Sequence, residues 1–175
     1  RGRSGFSPAE CARLQAERAR LWPKAMTALT THDTKRGEDV RSRITCITES
    51  AERFAELCDG IEYIDGGTCH FLLQNMIGVW PVDGHVTDEL RERLHAYAEK
   101  AMREAGVHTT WFDVNEEFET SIHEWIDNTI DNNGEEITSF VAHIAPAAET
   151  VSISKKLLQI LSLIHISEPT RPLYI

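Results

Sequence analysis

The sequence reads as a mainly α-helical piece of an α/β protein, on three observations. Apolar residues recur at helical spacing in several stretches. One short apolar run, Ala25-Met26-Thr27-Ala28-Leu29, has the length of a buried strand. It stops at a dense set of hydroxyls, acids and bases, Thr30-Thr31-His32-Asp33-Thr34-Lys35-Arg36-Gly37-Glu38-Asp39-Val40-Arg41. Ligand sites in α/β folds favour the carboxyl end of a strand, which makes this stretch the candidate site. The same pattern also fits a turn leading into a solvated helix start.

Taken in order, Ser7-Pro8-Ala9-Glu10 opens a helix: Ser7 caps, Pro8 takes the first helical position and Glu10 completes a capping box. This helix runs to about Leu21, with Cys11, Leu14 and Leu21 as its apolar stripe, and Trp22-Pro23 stops it. The strand over 25–29 and the polar stretch follow. Val40, Ile44 and Ile47 then recur at i, i+4 and i+7, the spacing of one buried helical face. Another helix covers Ala51 to Cys58, broken by Asp59-Gly60, and Asp65-Gly66-Gly67 is a second break. Phe71 to Trp80 is the most apolar stretch and predicts a buried helix ended by Pro81. Thr87-Asp88-Glu89 starts the clearest helix, with Leu90, Leu94, Tyr97 and Ala101 inward and Gly106 as its stop. Asn115 caps a helix whose stripe is Phe118, Ile122, Trp125, Ile126 and Ile130, and Asp131-Asn132-Asn133-Gly134 terminates it. Two further helical pieces flank Pro146.

Composition narrows the function. Hydrophobic content of 41% and charged content of 26% over 175 residues describe a globular chain with room for a sizeable core. A net charge of −10 argues against nucleic acid or an anionic membrane as the partner, and suits a neutral ligand such as a sugar. Cys11, Cys46, Cys58 and Cys69 are too widely spaced for a zinc ribbon or redox motif and read as reduced, mostly buried thiols of a cytoplasmic protein. The histidines form no metal-binding pattern, so neither metal nor cofactor is expected. His70, His85, His95, His123 and His143 read as isolated. Trp22 and Trp125 read as core; Trp80, inside its apolar run, reads as core ahead of a sugar-stacking platform.

Thr31-His32-Asp33-Thr34-Lys35-Arg36 with Glu38-Asp39-Val40-Arg41 resembles the fourth conserved region of the maltooligosyl trehalose synthases, members of glycoside hydrolase family 13, the α-amylase superfamily. Two further stretches are similar in the same order: Leu72-Leu73-Gln74-Asn75-Met76-Ile77-Gly78-Val79-Trp80-Pro81, and Tyr97 to Trp111. Asn75, Gly106 and Thr110 depart from the residues usual there. The resemblance spans roughly Phe6 to Ile130 and is weakest over Thr45–Thr68. It implies a (β/α)8 barrel whose seventh strand ends at the site, with a helical insertion beyond it. It implies that Asp33 is the carboxylate that binds sugar hydroxyls and distorts the ring, and that His32 hydrogen-bonds the sugar. Nucleophile and general acid would lie on earlier strands, before Arg1. The substrate implied is a maltooligosaccharide whose reducing-end α-1,4 linkage becomes α,α-1,1, an isomerase reaction.

Lys35 and Arg36 are candidate substrate-binding residues; salt bridges to Glu38 or Asp39 explain them as well. Trp111 is a candidate sugar platform or a core residue. Expected divisions are 1–36, late barrel with the site; 37–145, helical insertion; 146–160, return to the barrel; and 161–175, non-native. Leu161-Ser162-Leu163-Ile164-His165-Ile166-Ser167-Glu168-Pro169-Thr170-Arg171 resembles a translated sequencing adapter. On this reading the chain is an internal fragment without turnover of its own. Another family 13 enzyme, or a non-catalytic helical interaction module, are the alternatives.

Overall fold

The computed structural model describes residues 5, 7–23, 28–32 and 34–161. Among them there are six α-helices and no strand: α1 (Pro8–Leu21), α2 (Glu38–Cys46), α3 (Ala51–Asp59), α4 (Gly66–Val79), α5 (Asp88–Ala105) and α6 (Glu116–Leu161), with a 3-10 turn at Ile47–Ser50. Most of the expected strand lies outside the described residues, and Ala28 and Leu29 are irregular.

The helix ends follow their local chemistry. Ser7 Oγ accepts from the Glu10 amide at 3.2 Å, Asp65 from Thr68, Thr87 from Leu90 and Asn115 from Phe118, each satisfying an otherwise orphaned amide. Gly106 closes α5 at φ 64°, in the left-handed region that costs glycine little. Asp65-Gly66-Gly67 is a start rather than a break: Asp65 is the cap and both glycines form the first turn of α4.

The core lies where α2, α4 and α5 pack on α6, with α2 against α6 the most extensive contact. Leu72, Leu73, Met76 and Ile77 of α4 meet Ile122, Ile126, Ile137, Phe140, Val141 and Ile144 of α6, all at most 2% exposed. On α5 the fully buried line is Leu94, Ala98 and Met102, with the expected Leu90 and Tyr97 at its edge and Ala101 half-buried. Trp80 and Trp125 are core, each donating its indole N–H, to Thr138 Oγ1 and to the Glu62 carbonyl. Trp22 is not core: it is 70% exposed, and α1 buries none of its side chains, so the stripe of Cys11, Leu14 and Leu21 has no cover among the described residues.

Asp131-Asn132-Asn133-Gly134 does not end a helix. α6 runs through it because the residues on either side continue one buried stripe, from Ile130 through Ile137, Val141 and Ile144 to Ala148. Two polar residues of the segment have tertiary partners that replace the turn bonds they would otherwise make. Asp131 pairs with Arg91 and Asn133 donates to the Gly60 carbonyl. Burial outweighs a weak local propensity. Pro146 likewise sits inside α6, on its exposed side, where water can serve the carbonyl that loses its amide donor. No helix among the described residues is long and apolar enough to cross a membrane.

Candidate functional site

The polar stretch after residue 28 forms a loop clamped between the start of α2 and the end of α6. Thr31 and Thr34 build its turn: the Thr31 amide donates to Thr34 Oγ1 at 2.7 Å, and Thr34 Oγ1 donates to the Thr31 carbonyl at 2.7 Å. Arg41 reaches back one turn of α2 to the Leu29 carbonyl at 2.8 Å, and the Leu29 amide donates to Gln159 Oε1 of α6. Thr30 Oγ1 donates to Glu38. His32 stands exposed on this loop, and Asp33 lies outside the described residues.

Below the loop, α2 is fastened to α6 by charge. Asp39 accepts from Ser152 and, at 2.7 Å, from Lys156. Burial pushes the Asp39 carboxyl up, but these two donors outweigh it and hold it below the usual carboxylate range. Arg43 donates to the Trp80 carbonyl at 2.5 Å, a cation set on the C-terminal end of α4. Burial lowers the Arg43 pKa, with Glu149 and Asp39 opposing.

Lys35 and Arg36 do not pair with Glu38 or Asp39. Lys35, at φ 67°, sends its ammonium to Glu104 Oε2 of α5 at 2.7 Å. Arg36 turns to α4: its Nε donates to Asn75 Oδ1 at 2.5 Å and its guanidinium lies 4.9 Å from the Phe71 ring centroid. Tyr97 Oη donates to the same Asn75 oxygen at 3.2 Å. Burial raises the Tyr97 hydroxyl pKa against the pull of Arg36 and Lys35. Between the loop, α4 and α5 lies a narrow cleft edged by Lys35, Arg36, Arg93 and Tyr97 over Val79 and Leu94.

Trp111 stands on the loop from α5 to α6, 53% exposed, with the Arg103 guanidinium 5.3 Å from its ring centroid. It is therefore no core residue. Arg103 is itself fixed, by two hydrogen bonds to Glu119 at 2.8 and 2.7 Å and by Glu99 at 2.6 Å. Arg103 holds Glu119 ionised well below its ordinary range, and the Thr109 hydroxyl helps at 2.6 Å. The last turn of α5 thus joins Lys35, through Glu104, to Trp111, through Arg103.

Some of the groups that matter here escape motif reading. Asn75 carries a visible signal, a polar residue inside the most apolar run; Glu104 and Arg103 look like ordinary surface charges. Nor are all the histidines isolated. His95 lies 2.9 Å from Asp127, and its ring meets that of His123 edge-on at 4.7 Å between centroids.

No family model matches the chain. A maltooligosyl trehalose synthase of Mycobacterium tuberculosis is 47% identical to it over 161 residues, which is 89% of this chain and 21% of that protein. The chain is homologous to a segment of the maltooligosyl trehalose synthases. Solved structures agree. The maltooligosyltrehalose synthase of Arthrobacter ramosus superposes with a TM-score of 0.76 at 35% identity, covering 90% of this chain and 21% of that one. A maltooligosyl trehalose synthase from Sulfolobus tokodaii gives 0.69 at 34% identity, over 79% of this chain and 20% of that one. The chain therefore spans about a fifth of the length of the synthases it matches.

Proposed function

We propose that the protein containing this segment is a maltooligosyl trehalose synthase, an intramolecular transglucosylase that turns the reducing-end α-1,4 linkage of a maltooligosaccharide into an α,α-1,1 linkage. The observation that carries this reading is the 47% identity, over a span too long to miss the His32–Arg41 loop. In the reaction a carboxylate elsewhere in the protein displaces the terminal glucose and forms a glycosyl-enzyme, while a general acid protonates the departing oxygen. The freed glucose turns over, and its anomeric hydroxyl attacks the glycosyl carbon, releasing the carboxylate and giving its proton to the general base. Asp33 binds sugar hydroxyls in the distorted ring of the transition state, and His32, exposed beside it, donates or accepts a hydrogen bond to the same sugar. Trp111, open to solvent, offers a ring face to a more distant glucose. Lys35 and Arg36 flank the sugar from their anchors on Glu104 and Asn75. Success depends on keeping water out while glucose stays bound.

Incubating the full-length protein with maltopentaose tests this. A product without a reducing end supports the reading, and release of glucose with new reducing ends makes the protein a hydrolase. Asp33→Asn is expected to lower the rate about a thousandfold, since its contacts strengthen in the transition state. An unchanged rate would make this segment a non-catalytic module.

A further inference from the structure

We propose that Asn75 is a positioning residue for the transfer reaction: together with Tyr97 it grips Arg36 and so fixes the loop that carries His32. The inference rests on the functional reading above. Asn75 projects from the middle of α4 and is 5% exposed, so its amide must find partners inside the protein. Its nitrogen donates to the Phe71 carbonyl one turn back, at 2.6 Å, which fixes the orientation of the amide. Its oxygen is thereby aimed at the loop, and both of its lone pairs are taken, by Arg36 Nε and Tyr97 Oη. Phe71 supports the guanidinium from below and stacks on Tyr97, with 6.3 Å between centroids and 21° between planes.

The adjacent residue explains why this grip sets the loop. Lys35 adopts a left-handed backbone that a residue with a Cβ takes only when its surroundings impose it. Lys35 is drawn to Glu104 on α5 while Arg36 is drawn to Asn75 on α4, so two consecutive side chains pull to different helices. The two anchors hold residues 35 and 36 directly after the turn made by Thr31 and Thr34, the residues on either side of the His32 segment. A loop displaced by an ångström places a catalytic group outside productive geometry, an effect on turnover more than on substrate binding.

The test uses the full-length synthase with Asn75→Leu, a change of similar shape, alongside Tyr97→Phe, Arg36→Ala and the Arg36→Ala/Asn75→Leu pair. Asn75→Leu is expected to lower kcat at least about tenfold with KM within about threefold, and Tyr97→Phe to lower it less, because one donor remains. If Asn75 acts through Arg36, the pair is no worse than Arg36→Ala alone. Losses that multiply in the pair, or a wild-type kcat for Asn75→Leu, would overturn the proposal. Should the unsubstituted protein form no trehalosyl ends, the functional reading fails separately. Amide hydrogen exchange over residues 29–37 then reads the grip directly, with faster exchange in Asn75→Leu supporting it and unchanged exchange overturning it.

Discussion

Two glycines that look alike in sequence should respond oppositely to the same change. Gly78 lies where α4 crosses α2, and a Cβ there would come within 2.7 Å of Val40 Cγ1 and 3.3 Å of Ile44 Cγ1. Alanine gains about 1 kcal/mol of helix propensity, but forcing a methyl into this contact costs about 1–3 kcal/mol. Gly78→Ala should therefore destabilise the protein by about 1 kcal/mol in urea unfolding. Gly134, inside α6, meets only Trp80 Cζ2 at an ordinary 3.7 Å. Gly134→Ala should raise stability by about 0.5–1 kcal/mol, since only the propensity term applies. A gain for Gly78→Ala would mean that α2 and α4 are not pressed together as described. At this scale the sequence was readable wherever one residue settles its own environment, as the caps Ser7, Thr87 and Asn115 do. It was unreadable where the partner is distant. Nothing near Arg36 in the chain announces Asn75, and nothing near Trp22 announces that it is left exposed.

At the scale of elements, the contact of α5 with α6 is built to weaken in acid. Burial, reinforced by His95, lowers the pKa of His123, whose Nε2 is buried without a hydrogen-bond partner; Glu99, Glu119 and Asp127 only partly oppose this. A base whose folded pKa is depressed binds its proton more readily when unfolded. Stability is therefore lost as pH falls through the ordinary histidine value of about 6.5 toward the lower folded value. For one proton the slope is at most about 1.4 kcal/mol per pH unit. Urea midpoints should fall between pH 7.5 and 5.5, and His123→Leu should flatten that fall; an equal fall in the variant would assign the sensitivity elsewhere. Glu119 and Asp127 add to acid lability lower down, since Arg103, and Arg91 with His95, hold them ionised: their contribution is present above about pH 4.5 and lost below it. This contact was half legible. The apolar spacing identified the buried face of α6 up to Ile130 and, on α5, only Leu94 of the fully buried line, whereas the Asp131–Gly134 segment carried every local sign of a stop and became mid-helix. Its partners, Arg91 and Gly60, come from elements that no local pattern connects to it.

At the scale of the whole molecule, the chain by itself should bind sugar weakly and turn none over. Breaking a glycosidic bond with retention needs a carboxylate nucleophile and a protonated carboxyl about 5–5.5 Å apart. Among the described residues, the carboxylates around the candidate loop are engaged otherwise. Glu38 accepts from Thr30, Asp39 from Ser152 and Lys156, and Glu104 pairs with Lys35 and Lys100. None of these three stands unpartnered beside a second free carboxylate, and on the functional reading above Asp33 would bind and distort a sugar without cleaving it. The segment also leaves Leu21 and Trp22 at the end of α1, and Ile153, Leu157 and Leu158 along the end of α6, more than half exposed. Such surfaces suit a piece that packs against more protein, in keeping with its spanning 21% of its relatives. The 175-residue chain incubated with maltopentaose should therefore give no non-reducing product by chromatography at any enzyme concentration. Trehalosyl ends formed by the chain alone, and abolished by Asp33→Asn, would show that a nucleophile and an acid do lie within it. Glu38 and Glu104 would then be the first residues to substitute.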